Sequence, residues 1–175
     1  AWGEVLGFAQ FIKIVDGETV LVSNGFAPTF GAAWDTNPYA QQWSLTEGEP
    51  PTNRKEVVMD VLTAENHNFS VGDRVTVLAG ATPASFTIVG IAEFANVGAP
   101  GGATFALFEF RTAQALLDSK GEVDLINVVI ENNFDINDVK NDITNLDSEN
   151  LNVINAQEAA AEQADSIKQG LDFFN

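Results

Sequence analysis

The residues best suited to chemistry are few and scattered. His67 is the only histidine, and it stands in the polar run Glu65-Asn66-His67-Asn68. With no second histidine and no cysteine it makes a poor metal site and reads as a surface residue. A Ser-His-Asp triad is formally available, but no Gly-x-Ser-x-Gly turn presents a serine. Asp135, Asp138 and Asp142 recur at i, i+3 and i+7, on one face of an expected helix. No oxygen-rich loop accompanies them, so they read as solvated helix acids and not as a cation site. Gly98-Ala99-Pro100-Gly101-Gly102 precedes a strand and not a helix, and no Lys-Ser/Thr follows it, which leaves a phosphate loop unsupported. Carboxylates abound, yet nothing selects one pair for acid–base work. The expectation is therefore a non-enzymatic chain with no catalytic residue, no metal and no cofactor.

Composition narrows the partners. Twenty-five acidic residues face 8 basic ones, for a net charge of −17 in 175 residues. Phosphate binding needs a Lys/Arg footprint, so nucleic acid is excluded as a partner, and adhesion to anionic lipid is disfavoured. Hydrophobic residues make up 45% of the chain, enough for a globular protein with a real core. The apolar runs fall far short of the ~20 residues needed to cross a bilayer. There is no basic start followed by an apolar signal core. Any membrane anchor is expected outside this chain. Cysteine is absent, which excludes disulfides and thiolate catalysis without fixing the compartment.

The elements that would position such residues can be read in order. Two apolar runs in residues 4–22 flank Asp16-Gly17, a hairpin signal. Residues 23–43 are rich in Gly, Pro, Asn and aromatics and read as a long connection; Phe26, Phe30, Trp34, Tyr39 and Trp43 lie in it. Those rings either pack the connection onto the body or form a partner-contact patch. Residues 45–56 read as a loop around Pro50-Pro51. A strand at Val57–Met59 leads to a short helical turn capped by Thr63. Val71-Gly72-Asp73 turns the chain into a half-buried strand, Arg74–Leu78. Residues 86–93 are apolar on both alternating faces, a strand covered on both sides, and Gly90 within it suggests a bulge. Further strands are expected at 104–110, 123–130 and 151–154, with helices at 112–120 and from Asp135 through Leu146. Asn155 and Glu158 resemble a capping box. Behind them Ala160, Ala164, Ile167, Leu171 and Phe174 step by 4, 3, 4 and 3, a heptad-like seam. That helix either packs on the domain or continues as a stalk.

The order of three motifs carries a resemblance. Glu56-Val57-Val58-Met59-Asp60, then Val71-Gly72-Asp73-Arg74-Val75-Thr76-Val77, then Phe86-Thr87-Ile88-Val89-Gly90-Ile91 resembles the MacB-like periplasmic core domain, the extracytoplasmic domain of FtsX-like ABC transporter permeases. Gly101–Phe108, followed by Ala113-Gln114-Ala115-Leu116-Leu117, is similar to actinobacterial-type members, as is Ala27–Gly31 with Trp34-Asp35. The resemblance implies an α+β fold of two subdomains: a porter-like α/β layer from both chain ends (1–33 and 122–175, with a stalk-like C-terminal helix) and an inserted β-rich subdomain (34–121). It implies a domain that hydrolyses no ATP. A cytoplasmic ATPase subunit would act through the rest of the permease, which could be a dimer. The outer domain would engage an external protein, lipid or peptide from the extracytoplasmic side of the cell membrane. The family's strand and helix before the hairpin are not in this sequence, where Ala1 begins directly at the hairpin region.

Phe26, Phe30, Trp34, Asp73 and Arg74 are the candidate partner contacts. Two rival readings stand beside this one. A free-standing secreted module would hold a ligand in the aromatic loop 26–43, and an acidic hydrolase would use paired carboxylates.

Overall fold

The structure, a computed structural model, describes residues 1–15, 18–37, 41–80, 82–95, 98–146 and 151–159. Its largest sheet is assembled on one long strand, β9 (Thr82–Phe94), which number follows from eight shorter strands before it in the chain. Its first half pairs antiparallel with β8 (Arg74–Ala79), from Ala79↔Thr82 to Arg74↔Thr87. Its second half pairs parallel with β7 (Glu56–Asp60), from Glu56↔Thr87 to Asp60↔Ala92. β6 (Trp43–Gly48) takes up the edge that β8 leaves, pairing antiparallel with Gly90–Phe94. A register shift between Val57 and Val58 puts a bulge at Val89, next to Gly90, where the sequence places one.

The sheet extends both ways from this centre. β3 (Gln10–Val15) pairs with β8, and β4 (Glu18–Val22) pairs antiparallel with β3 at one edge. Asp16 and Gly17, the expected hairpin turn, lie outside the described residues. On the other side β10 (Thr104–Phe108) pairs antiparallel with β7 and parallel with β5 (Thr29–Ala33); β2 (Leu6–Gly7) closes that edge. Among the described residues the result is one mixed sheet of nine strands. A separate antiparallel pair joins β1 (Trp2–Glu4) to β11 (Leu125–Asn127).

The central strands read as unbroken apolar runs because both faces are covered. In β10 all five residues are buried. Ala106 and Phe108 face one cluster with Phe11, Met59, Ile88 and Val77. Phe105 and Leu107 face the other, with Trp34, Val58 and Ala92. Each fully buried large side chain contributes roughly 1.5–3 kcal/mol, so these two layers dominate the stability. Two short helices pack against the sheet. α1 (Val61–His67) is capped by Asp60 and not by Thr63, which the sequence had suggested. α2 (Phe110–Leu116) is capped by Glu109, whose carboxylate accepts from the N–H of Arg111 and Thr112.

Other sequence expectations change. β5 lies in the stretch read as a connection: its last three residues, Gly31, Ala32 and Ala33, are small where α2 packs against the strand. A Cβ on Gly31 would stand 2.9 Å from Leu117 Cδ2 and 2.7 Å from the Ala9 Cβ. β6 covers the first half of the stretch read as a loop, its polar residues exposed along an edge. The run 123–130 forms only the three-residue β11, and 151–154 is not a strand.

Compactness divides the chain into Ala1–Val128 and Val129–Asn175. Within the first unit β3 and β5, which fall in the 1–33 part of the expected division, pair with β8 and β10 of the 34–121 part. The second unit holds α3 (Ile136–Leu146), whose Ile136, Val139, Ile143 and Leu146 recur at helical spacing although no residue of the helix is buried. The capping box forms: Asn155 N–H donates to Glu158 (2.8 Å) and Glu158 N–H donates to Asn155 Oδ1 (2.9 Å). Lys140 pairs with Glu158 at 2.6 Å. The heptad seam Ala160–Phe174 lies outside the described residues.

Candidate functional site

The candidate contact residues fall into three settings. Phe26 stands at the tip of the loop between β4 and β5, its ring fully exposed at 110%. Phe30 is half-buried, tilted against Phe105 at 5.3 Å between ring centroids. Trp34 is a core residue, 5% exposed, with its backbone N–H on the Phe108 carbonyl (2.7 Å). Asp73 and Arg74 lie elsewhere, on the turn into β8. Both are exposed, and Asp73 Oδ2 accepts from the Ser70 N–H at 2.9 Å. The structure thus brings Phe30 and Trp34 to one aromatic cluster and sets Phe26 and Phe30 around a shared pocket, while Asp73 and Arg74 belong to neither. Tyr39 lies outside the described residues.

The Phe26 loop is fixed from beneath by a seam of polar side chains. Asn24 Nδ2 donates to the Thr63 hydroxyl (2.9 Å), and Thr63 donates to the Thr104 hydroxyl (3.2 Å). Asn66 Nδ2 donates to Asn24 Oδ1 (3.0 Å), and His67 Nε2 lies 3.1 Å from the Ser23 carbonyl. The far side of the loop is held where the Thr104 N–H meets the Pro28 carbonyl (3.0 Å). His67 therefore ties a loop to α1. Asn24→Ala is expected to lower stability by about 1 kcal/mol through two lost hydrogen bonds, measured as a shift in urea midpoint.

At the base of the seam sits Asp60, wholly buried. Its Oδ1 accepts from the Thr63 N–H and its Oδ2 from the Phe105 N–H, both at 2.8 Å. Burial pushes its carboxyl above the usual aspartate range, outweighing the two N–H groups that favour the charged form. Glu109 shows the opposite balance: burial raises it, but the Arg111 and Thr112 N–H groups and the Thr112 hydroxyl hold it below the ordinary range. Thr52 and Asn53 do the same for Glu56, led by the Thr52 N–H.

A cleft of about 830 Å³ opens in the first unit. One wall is Trp2–Leu6; the other runs through Ala32–Asn37 and Gln41–Trp43, with Phe94, Phe105, Glu109 and Phe110 completing it. Trp43 stacks edge-on to Phe94 (5.3 Å) and tilts against Phe105 (5.0 Å). Sequence reading missed this cleft, because its lining comes from separate stretches spread between Trp2 and Phe110. Among the described residues no group of three His, Cys, Asp or Glu is placed to hold a metal ion, and Asp135 instead caps the first turn of α3 through the Asn137 N–H (2.7 Å).

A curled mixed sheet of nine strands flanked by short helices defines an α+β domain. The chain belongs to the MacB-like periplasmic core domain family, whose model matches residues 5–146. It is thus an extracytoplasmic domain of the kind carried by ABC transporter permeases, which work with an ATPase. In fold it is similar to a domain of a protein assigned as a permease from Porphyromonas gingivalis. The TM-score is 0.53 at 12% identity, covering 85% of this chain and 69% of that one. No curated protein matches it. Among the described residues no helix is long and apolar enough to cross a membrane.

Proposed function

We infer that this domain transmits ATPase-driven movement of a membrane-anchored permease to an external partner, without catalysis of its own. The observation that carries the reading is the family match over residues 5–146. The fixed Phe26 loop supports it: a fully exposed ring on a braced loop is a preorganised contact. Phe26 and Phe30 on one side, and Asp73 and Arg74 on another, are the residues we assign to partner contact; Trp34, buried, supports Phe30's cluster from within. In the two-layer organisation we propose, the β1–β11 pair is where the chain ends meet to begin the porter-like layer.

In the native host, the protein is expected in the membrane fraction with this domain labelled by antibody on intact cells. Recovery from the soluble cytoplasmic fraction would overturn the proposal. Phe26→Ser is expected to leave the urea midpoint within about 0.5 kcal/mol of wild type, as for a surface position, while impairing the permease's transport phenotype. A normal phenotype at unchanged protein level would remove Phe26 from the contact.

A further inference from the structure

The geometry points to the cleft between β1 and residues 32–37 and 41–43 as a binding site for a basic, apolar peptide segment of a partner protein. This goes beyond the transmission role and holds whether or not the domain couples to an ATPase.

Two properties of the lining select the occupant. The first is charge. Glu4, Asp35 and Glu109 line the cleft, and among the described residues no lysine or arginine does. All three are half-buried, and none forms an ion pair among the described residues. Their hydrogen bonds are to neutral donors: Glu4 accepts from the Asn127 amide (2.5 Å), Asp35 from the Asn37 N–H (2.7 Å), and Glu109 from backbone N–H groups and the Thr112 hydroxyl. Those bonds hold the carboxylates in place without neutralising them. The Arg111 charge reaches Glu109, but Arg111 does not line the cleft. Like charges focused between apolar walls raise the local concentration of a cation well beyond what a flat surface does.

The second is the rings. Trp34 and Phe105 form a nearly buried floor, and Trp2, Trp43, Phe94 and Phe110 are half-buried around it. Aromatic faces take both an alkyl side chain and the stem and head of Lys or Arg. An anionic or purely apolar segment uses only one of these features. A cleft of about 830 Å³ has the size of sites that enclose a few side chains.

All three tryptophans of the chain, Trp2, Trp34 and Trp43, line this cleft, so intrinsic fluorescence reports on it without labelling. The probe is the capped tetrapeptide Lys-Leu-Lys-Leu, with Glu-Leu-Glu-Leu as control, titrated into the 175-residue chain by calorimetry and by tryptophan emission. The expected result is saturable one-to-one binding of the lysine peptide with a matching emission change. The paired variant Glu4→Gln/Asp35→Asn keeps both acceptors, and is expected to weaken binding about tenfold. Glu18→Gln/Glu131→Gln removes the same charge from exposed positions and is expected to change it less than twofold. Absence of binding at millimolar peptide, equal weakening in both paired variants, or equally tight binding of the glutamate peptide would overturn the proposal. Urea midpoints of both variants matching wild type guard against a folding defect, and the Glu18/Glu131 pair separates cleft recognition from attraction to a −17 chain.

Discussion

Asp60→Ala is expected to destabilise the domain by roughly 2–4 kcal/mol. The side chain performs two tasks at once: it caps α1 through the Thr63 N–H and satisfies the Phe105 N–H at the entry to β10. Losing a cap costs about 0.5–2 kcal/mol, and leaving a buried N–H without a partner about 1–3 kcal/mol. Asp60→Asn separates charge from shape. The folded-state carboxyl is raised above its unfolded value, so the folded state binds the proton more tightly. Stability attributable to Asp60 is therefore fully present below the unfolded pKa and is lost as pH rises through the raised folded one. Asparagine carries no such penalty. The destabilisation of Asp60→Asn relative to wild type is expected to shrink as pH climbs from about 4 towards 7, because the wild type alone gives up stability over that window. Comparing the two proteins cancels the other carboxylates, including Glu56 and Glu109, whose lowered values act with the opposite sign. A difference in urea midpoints that stayed flat with pH would show that Asp60 ionises at no cost.

Gly48→Ala is expected to cost about 3 kcal/mol although Gly48 is exposed. Its φ is +75°, a left-handed conformation that costs a residue with a side chain roughly 1–2 kcal/mol. An added Cβ would also collide with the Val89 carbonyl oxygen and stand 2.8 Å from the Gly90 Cα. Backbone atoms cannot swing aside, so an overpacking cost of about 1–3 kcal/mol adds to the first. The facing position is equally tight: a Cβ on Gly90 would meet the Glu49 carbonyl and Leu45 Cδ2, each at 2.7 Å. The two glycines pair across β6 and β9 and let the strands close over the bulge. Gly25→Ala is the control, with a similar φ of +71° and no atom within 4 Å. It should cost only the conformational part. Equal losses in the two variants, measured by chemical denaturation, would mean that the close approach contributes nothing.

The parts of the fold written into local pattern were legible. β7, β8, β9 and β10 announce themselves by alternation or by unbroken apolar runs, and Gly90 marks the neighbourhood of the bulge in the sequence. β5 did not, because Gly31, Ala32 and Ala33 are chosen for what lies on top of them and not for strand propensity. The cap of α1 was misplaced by three residues: Asp60 closes a strand and opens a helix in one position, and its role as a strand residue hid its role as a cap. The run 123–130 has the composition of a long strand, yet only Leu125–Asn127 pairs as one, with the three residues of β1. Trp34 could not be told from an exposed ring by type alone; its burial depends on Val58, Ala92 and Leu107, which come later in the chain. The cleft was beyond reach for the same reason: Glu4, Asp35 and Glu109 are three acids among twenty-five until β1, β5 and α2 set them around one space.

The pairing of β1 with β11 has a mechanical side. The ribbon is antiparallel, with Trp2 opposite Asn127 and Glu4 opposite Leu125, so the chain enters and leaves it at the same end. Pulling the two strands apart at that end loads the rungs one after another, like a zipper, and three short rungs yield at low force. Drawing both strands together along their length loads no rung, and the pull passes onward to the nine-stranded sheet, where β9 binds its neighbours over thirteen residues. The ribbon thus distinguishes the direction of a tug: it carries a common displacement and gives way to a separating one.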